Sequence, residues 1–304
     1  MLVLDWLSHR MFLVGILVFI FLPFCSAARD VPLSPAGGEA LDLRGVKHGY
    51  YYAVDENDSF DNEFLKNGMT IEFWFYPARQ TERGEIWGLI SKSSLYWLRM
   101  EHLYLTAENN DGQEANVMWI KEGARGGWST LVFWDITGDG DYEPEWHHIA
   151  FQGRLFGNRL SSRVYQDGIL EQSGSSSATP LVYDTDTPLF VGGAPEGTKS
   201  FLHDGSMLYT VSDVTTFNGL IDELRISSVE RYKQAAMHGK IDVKDRFQPD
   251  EHTVALWHFD EGPRSVVYQD ASGNDHGLFA AGELGIDLRS SVPILWGTIK
   301  SQAK

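Results

Sequence analysis

Residues 135–143 (DITGDGDYE) set acids at Asp135, Asp139 and Asp141 around Gly140, the oxygen-rich, glycine-bent composition that hard cations such as calcium take as ligands. Where a helix-flanked calcium loop would place its bidentate glutamate stands Trp146, which excludes that class of loop and leaves an acidic surface turn as the alternative. A second acid has a stronger structural reason to be a ligand. In residues 219–226 (GLIDELRI) strand alternation sets Leu220, Asp222, Leu224 and Ile226 on one face, and that face is apolar. A carboxylate turned into a core costs several kcal/mol unless it is paired, hydrogen-bonded or on a metal. Asp222 is therefore the leading metal-ligand candidate, ahead of Asp135, Asp139 and Asp141. The expected ion is a structural calcium; capture by backbone amides or by an Arg or Lys is the alternative.

Catalytic patterns are missing from the sequence. A retaining glycosidase needs two carboxyl groups about 5 Å apart, which alternate acids on one strand would present; the nearest approach, Glu56, Asp58 and Asp61, lies in a polar stretch without strand character. There is no Gly-x-Ser-x-Gly elbow. His147 and His148 are adjacent, so on a strand they point to opposite faces and cannot share a zinc ion. Residues 192–197 (GGAPEG) lack the Lys-Ser/Thr ending and following helix of a phosphate loop. What the composition does favour is sugar binding, since pyranose rings stack on exposed aromatic faces beside carboxylates, and the chain carries 10 Trp and 12 Tyr. In residues 70–76 alternation sets Glu72, Trp74 and Tyr76 opposite Ile71, Phe73 and Phe75. Glu72, Trp74 and Tyr76 are the candidate ligand-binding set, with an aromatic sandwich core as the alternative use of such residues.

The elements that must position these residues are strands. From residue 39 to about 226 no stretch has apolar residues at helical spacing for long enough to make a helix; instead short β-branched and aromatic runs recur, separated by turn signals. Asp167-Gly168, flanked by apolar residues, predicts a two-residue hairpin, because both central positions need positive φ. The pattern is that of an all-β chain folded as a two-sheet antiparallel β-sandwich. Residues 1–28 read as a secretory signal: Arg10 precedes an apolar run over 11–24, too short for the roughly 20 residues a membrane span needs, and small residues follow it. The residues ahead of Cys25 lack the small side chain of a lipid-attachment signal, and with the segment removed no cysteine is left for disulfides. Residues 29–38 read as a spacer, 39–230 as the main domain, 231–252 as a charged connector, and 253–300 as late strands completing the same sandwich.

With 42 acidic against 25 basic residues and a net charge of −17, the chain is unsuited to phosphate backbones, so nucleic acid is excluded as a partner. Three stretches then line up in order and spacing: 67–77 (NGMTIEFWFYP), 145–151 (EWHHIAF) with 163–170 (RVYQDGIL), and 217–226 (FNGLIDELRI), with 190–193 (FVGG) between. Together they resemble the signatures of laminin-G-like domains of the concanavalin A-like lectin/glucanase superfamily. The resemblance covers about residues 41–230. It implies a jelly roll in an extracellular module, secreted or on the cell surface, that binds a glycan or an extracellular protein and holds calcium; a glycoside hydrolase on the same scaffold and a purely structural adhesion component are the alternatives. Residues 255–262 (ALWHFDEG) with 268–277 look like the phrase that usually opens such domains, yet here it comes last. That order implies a permuted strand or a truncated second copy.

Overall fold

The structure, a computed structural model, describes residues 32–53, 60, 67–79, 86–92, 96–107, 110–122, 128–132, 144–157, 159–177, 188–193, 199–201, 207–210, 214–232 and 240–284. Segments 1–28, 56–59 and 135–141, Asp61 and the final run from 285 lie outside the described residues, and with them the expected signal and the acids Asp135, Asp139 and Asp141. The chain divides into two compact units, residues 1–32 and 33–304, and all that follows concerns the second.

Every regular element among the described residues is a strand. In chain order they are β1 (Leu41–Asp42), β2 (Gly49–Ala53), β3 (Met69–Pro77), β4 (Ile86–Lys92), β5 (Tyr96–Ala107), β6 (Asn110–Glu122), β7 (Trp128–Val132), β8 (His147–Phe156) and β9 (Arg159–Gln166). They continue with β10 (Ile169–Ser177), β11 (Leu189–Val191), β12 (Lys199–Phe201), β13 (Met207–Thr210), β14 (Val214–Thr216), β15 (Gly219–Ser227), β16 (Thr253–Trp257), β17 (Val267–Tyr268) and β18 (Leu278–Gly282). One sheet runs β1-β15-β3-β8-β9-β10, with β16 on the same edge of β15 as β1; a second runs β17-β18-β2-β11-β4-β5-β6-β7, with β14 parallel on β4. Strands β12 and β13 form a small hairpin. The fold is a β-sandwich of two mainly antiparallel sheets stacked on one core.

Sequence alternation explains the packing of β3. Ile71, Phe73 and Phe75 enter the core between the sheets, while Glu72, Trp74 and Tyr76 stand on the outer face of the first sheet. The same holds for β8, where Ile149 and Phe151 face inward. Asp167 and Gly168 adopt φ of 50° and 83° between β9 and β10, the positive pair that the Asp-Gly hairpin requires. The late strands serve both sheets: β16 pairs with β15 and brings Ala255 and Trp257 inward, while β18 pairs with β2 and brings in Leu278 and Ala280.

Strand β15 departs from simple alternation. Its pairing with β3 slips between Asp222 and Arg225, and Glu223 takes φ of 51°. This bulge inserts one residue into the ladder and turns the chain over. Before it Ile221 faces the core; after it Leu224 and Ile226 do. Asp222, opposite Trp74, therefore stands on the outer face, and the expectation that it points inward with Leu224 and Ile226 is corrected. It is buried nonetheless, against Ser34 of the entering chain.

Candidate functional site

The outer face of the first sheet is covered by the segment that follows β15. Ile241 packs on Ala150 and Tyr165, the Lys244 carbonyl accepts the Trp74 Nε1 hydrogen at 3.3 Å, and the Phe247 ring lies under the Arg225 guanidinium at 4.4 Å. Beneath this strap Glu72 is fully buried. Its Oε1 accepts from Arg225 Nε at 2.9 Å and Nη2 at 2.7 Å, and its Oε2 accepts from the Tyr232 hydroxyl. Burial alone would raise the Glu72 pKa, but the His148 ring 3.7 Å away, the Arg225 charge and the Tyr232 bond outweigh it and hold the carboxyl at about 2. The site candidates Glu72, Trp74 and Tyr76 thus share a face. Glu72 is spent inside the fold, while Trp74 and Tyr76 are half-buried, their rings against His148 and Trp146.

The bulge gathers a second set of acids. Asp222 Oδ1 accepts the Glu223 amide at 2.8 Å and Oδ2 accepts the Ser34 hydroxyl. Burial, helped by the neighbouring charges of Glu223 and Asp260, pushes the Asp222 pKa up to about 8. Glu223 accepts the Phe247 amide at 2.7 Å and lies 2.6 Å from His258 Nδ1. Among the described residues no three His, Cys, Asp or Glu side chains are grouped so as to hold a metal ion. The acids of the bulge are close in the chain, and each accepts hydrogen bonds from protein donors.

A third arrangement is open to solvent. Two connections carry the chain between the sheets at one rim, the loop 45–48 from β1 to β2 and the turn 217–218 from β14 to β15, and Arg79 follows β3 beside them. A cavity of about 290 Å3 lies between them, its wall mainly apolar, with polar groups from Lys47, His48, Arg79, Thr215, Thr216 and Asn218. The backbone holds this rim together. Gly49 N donates to Thr216 Oγ1 at 2.8 Å, that hydroxyl donates to the Gly49 carbonyl at 2.7 Å, and Ala78 N donates to the Asn218 carbonyl at 3.0 Å. The sequence reading missed this site because its residues come from three separate segments; the only local sign is the basic pair Lys47-His48 beside a glycine in an acidic chain.

A family model of laminin-G type, described as the concanavalin A-like lectin/glucanases superfamily, matches residues 49–235, more than half of the chain. The chain belongs to that superfamily. The superfamily's name joins lectins to glucanases, so membership admits both binding and hydrolysis. No curated protein sequence matches the chain. Solved structures similar to it include the heptameric pentraxin of Limulus polyphemus, at 11% identity and TM-score 0.34 over 63% of this chain and 75% of that one. Domains LG4-5 of the mouse laminin alpha1 chain are similar at 16% identity and TM-score 0.32, over 67% of this chain and 47% of that one. The enzymatically active domain of tailspike protein 2 of bacteriophage CBA120 is similar at 10% identity and TM-score 0.31, over 73% of this chain and 34% of that one. The chain thus spans less than half the length of the last two.

Proposed function

We propose that this concanavalin A-like chain is a non-catalytic extracellular binding module that takes a glycan at the rim pocket. The observation that carries the reading is the preformed cavity between the 45–48 loop, Arg79 and the 215–218 segment, its wall mainly apolar with Lys47, His48 and Asn218 among the lining side chains, on a backbone-tied frame. Hydrolysis would need a pair of carboxyl groups facing a substrate. Among the described residues the fully buried acids Glu72, Asp222 and Glu223 instead spend their oxygens on Arg225, Tyr232, Ser34 and backbone amides. A glycan array probed with the purified chain tests the reading directly, and retained glycans that are released uncut are the expected result. Cleaved glycans would restore the hydrolase alternative, and a blank array beside tight capture of an extracellular protein would move the function to protein recognition. Calcium is tested separately. An ion held by Asp222, or by the 135–141 loop outside the described residues, makes chelator lower the melting temperature, and superimposable melts with calcium and with chelator remove the ion from the reading.

A further inference from the structure

We propose that Asn67 is a self-modification site, at which the folded chain turns an asparagine into isoaspartate, and that the fold withholds the same reaction from Asn218. The sequence holds two Asn-Gly pairs, 67–68 and 218–219. A glycine sets no side chain beside its own amide nitrogen, so that nitrogen can close on the side chain of the residue before it. In the reaction the glycine nitrogen gives its proton to water and bonds to the asparagine Cγ, the Cγ–Nδ2 bond breaks, and ammonia leaves. The five-membered imide so formed takes up one water at either carbonyl. One opening gives aspartate. The other gives isoaspartate, in which the main chain runs through the former side chain and is one carbon longer.

The two pairs stand in opposite surroundings. Asn67 is exposed in the turn that leads into β3, and among the described residues no hydrogen bond holds its side chain. Gly68 precedes the first ladder residue, Met69. The Asn67 side chain can therefore rotate towards the Gly68 nitrogen. Asn218 is half-buried and fixed: its Oδ1 accepts the Gly45 amide at 3.3 Å and its carbonyl accepts the Ala78 amide at 3.0 Å. Gly219 is the first residue of β15, in register with Pro77, and its carbonyl accepts the Leu43 amide at 3.0 Å. Closing a ring at 218–219 would break bonds on both sides of that peptide.

What the modification does follows from where β3 begins. Gly68 is buried at φ of 109°, and a Cβ on it would lie 2.7 Å from the Glu230 amide nitrogen. Two residues on, the Thr70 hydroxyl donates to the Val229 carbonyl at 2.7 Å and accepts the Arg231 amide at 3.1 Å. A main chain one carbon longer at 67 finds no slack at 68 and is pressed against 229–231, the residues that follow β15. The product also adds a carboxylate to a chain already at −17.

The test ages the purified whole chain in mildly alkaline buffer and follows both sites by peptide mass mapping, with isoaspartyl methyltransferase to label isoaspartate. In the folded chain the peptide holding Asn67 is expected to gain the mass of an amide-to-acid exchange and to take the methyl label, while that holding Asn218 keeps its amide; in urea both convert. Asn218 converting as fast as Asn67 in the folded chain overturns the inference. So does an Asn67 that stays amidated there while the urea-unfolded chain converts. Asn67→Ser, on an exposed turn, should abolish the label at this peptide and keep its melting temperature on ageing, while the wild type loses about 2–4 °C. A labelled wild type that melts unchanged overturns the coupling to 229–231. Freshly purified Asn67→Asp, which adds the charge without lengthening the main chain, should melt with the unaged wild type. A loss in that variant equal to the aged wild type's traces the effect to charge and overturns the part given to the longer main chain.

Discussion

Two buried acids on the same sheet face, one strand apart, are driven in opposite directions by their neighbours. Glu72 is held at about 2 because Arg225, Tyr232 and His148 outweigh its burial. Its folded value lies below the unfolded one of about 4.5, so the stability it contributes is present above that pH and is lost as pH falls towards 2. Glu72→Ala leaves Arg225 buried without its partner and should cost about 3–5 kcal/mol, read from urea denaturation at pH 7. Asp222, raised to about 8, runs the other way. Between about pH 4 and 8 its folded form keeps a proton that the unfolded form has lost, so stability falls as pH rises, by up to about 1.4 kcal/mol per pH unit. Asp222→Asn should flatten that slope while keeping an acceptor for the Glu223 amide. Denaturation curves at pH 5, 6, 7 and 8 measure it. A cation bound at Asp222 would hold it ionised, and a flat wild-type profile that acquires the slope in chelator would point to one.

At the scale of elements, the strap after β15 and the β9-β10 hairpin hold each other. Ile241 N donates to the Gly168 carbonyl at 2.8 Å, and a Cβ on Gly168 would come within 2.8 Å of the Ile241 carbonyl oxygen. Gly168→Ala therefore meets two penalties, about 1–2 kcal/mol for an L-residue in the left-handed region and the displacement of the strap. Phe247 is the strap's apolar anchor, with its amide on Glu223 and its ring between Arg225 and His148. Phe247→Ala should cost about 3–5 kcal/mol and speed amide hydrogen exchange between 240 and 250 more than in β3 or β8. Equal acceleration throughout would show that the strap opens only with the whole sandwich.

For the whole molecule, the matched family segment ends at residue 235 but the sandwich does not. Strand β16 occupies the edge of β15 beside β1, and β18 extends the other sheet along β2. Trp257 packs within 6.4 Å of Phe60 and Tyr268 within 5.1 Å of Tyr51, ring centre to ring centre. A chain ending at residue 252 would expose these core faces and two unpaired strand edges together. It should fail to give the single cooperative melt expected of 33–304; a shortened chain that melts as sharply as the full one would show that the late strands are dispensable.

Much of this architecture could be read from local pattern. The inward run Ile71, Phe73 and Phe75 and the Asp167-Gly168 turn follow from period-two alternation and from the φ that two adjacent residues can adopt, properties carried by a few neighbours in the chain. The side on which Asp222 stands could not be read that way, because the bulge at Glu223 depends on how many residues of β15 match those of β3 across the sheet. Nor could the fate of Glu72, since alternation sets it on the outer face but only the strap, returning from 160 residues later, buries it against Tyr232. The rim pocket is the extreme case. Lys47, Arg79 and Asn218 share no spacing or period, and they meet only because two sheets stack and their connecting loops close at one end. Strand faces are decided between neighbours along the chain; a cavity and its charge are decided by which distant segments packing brings together.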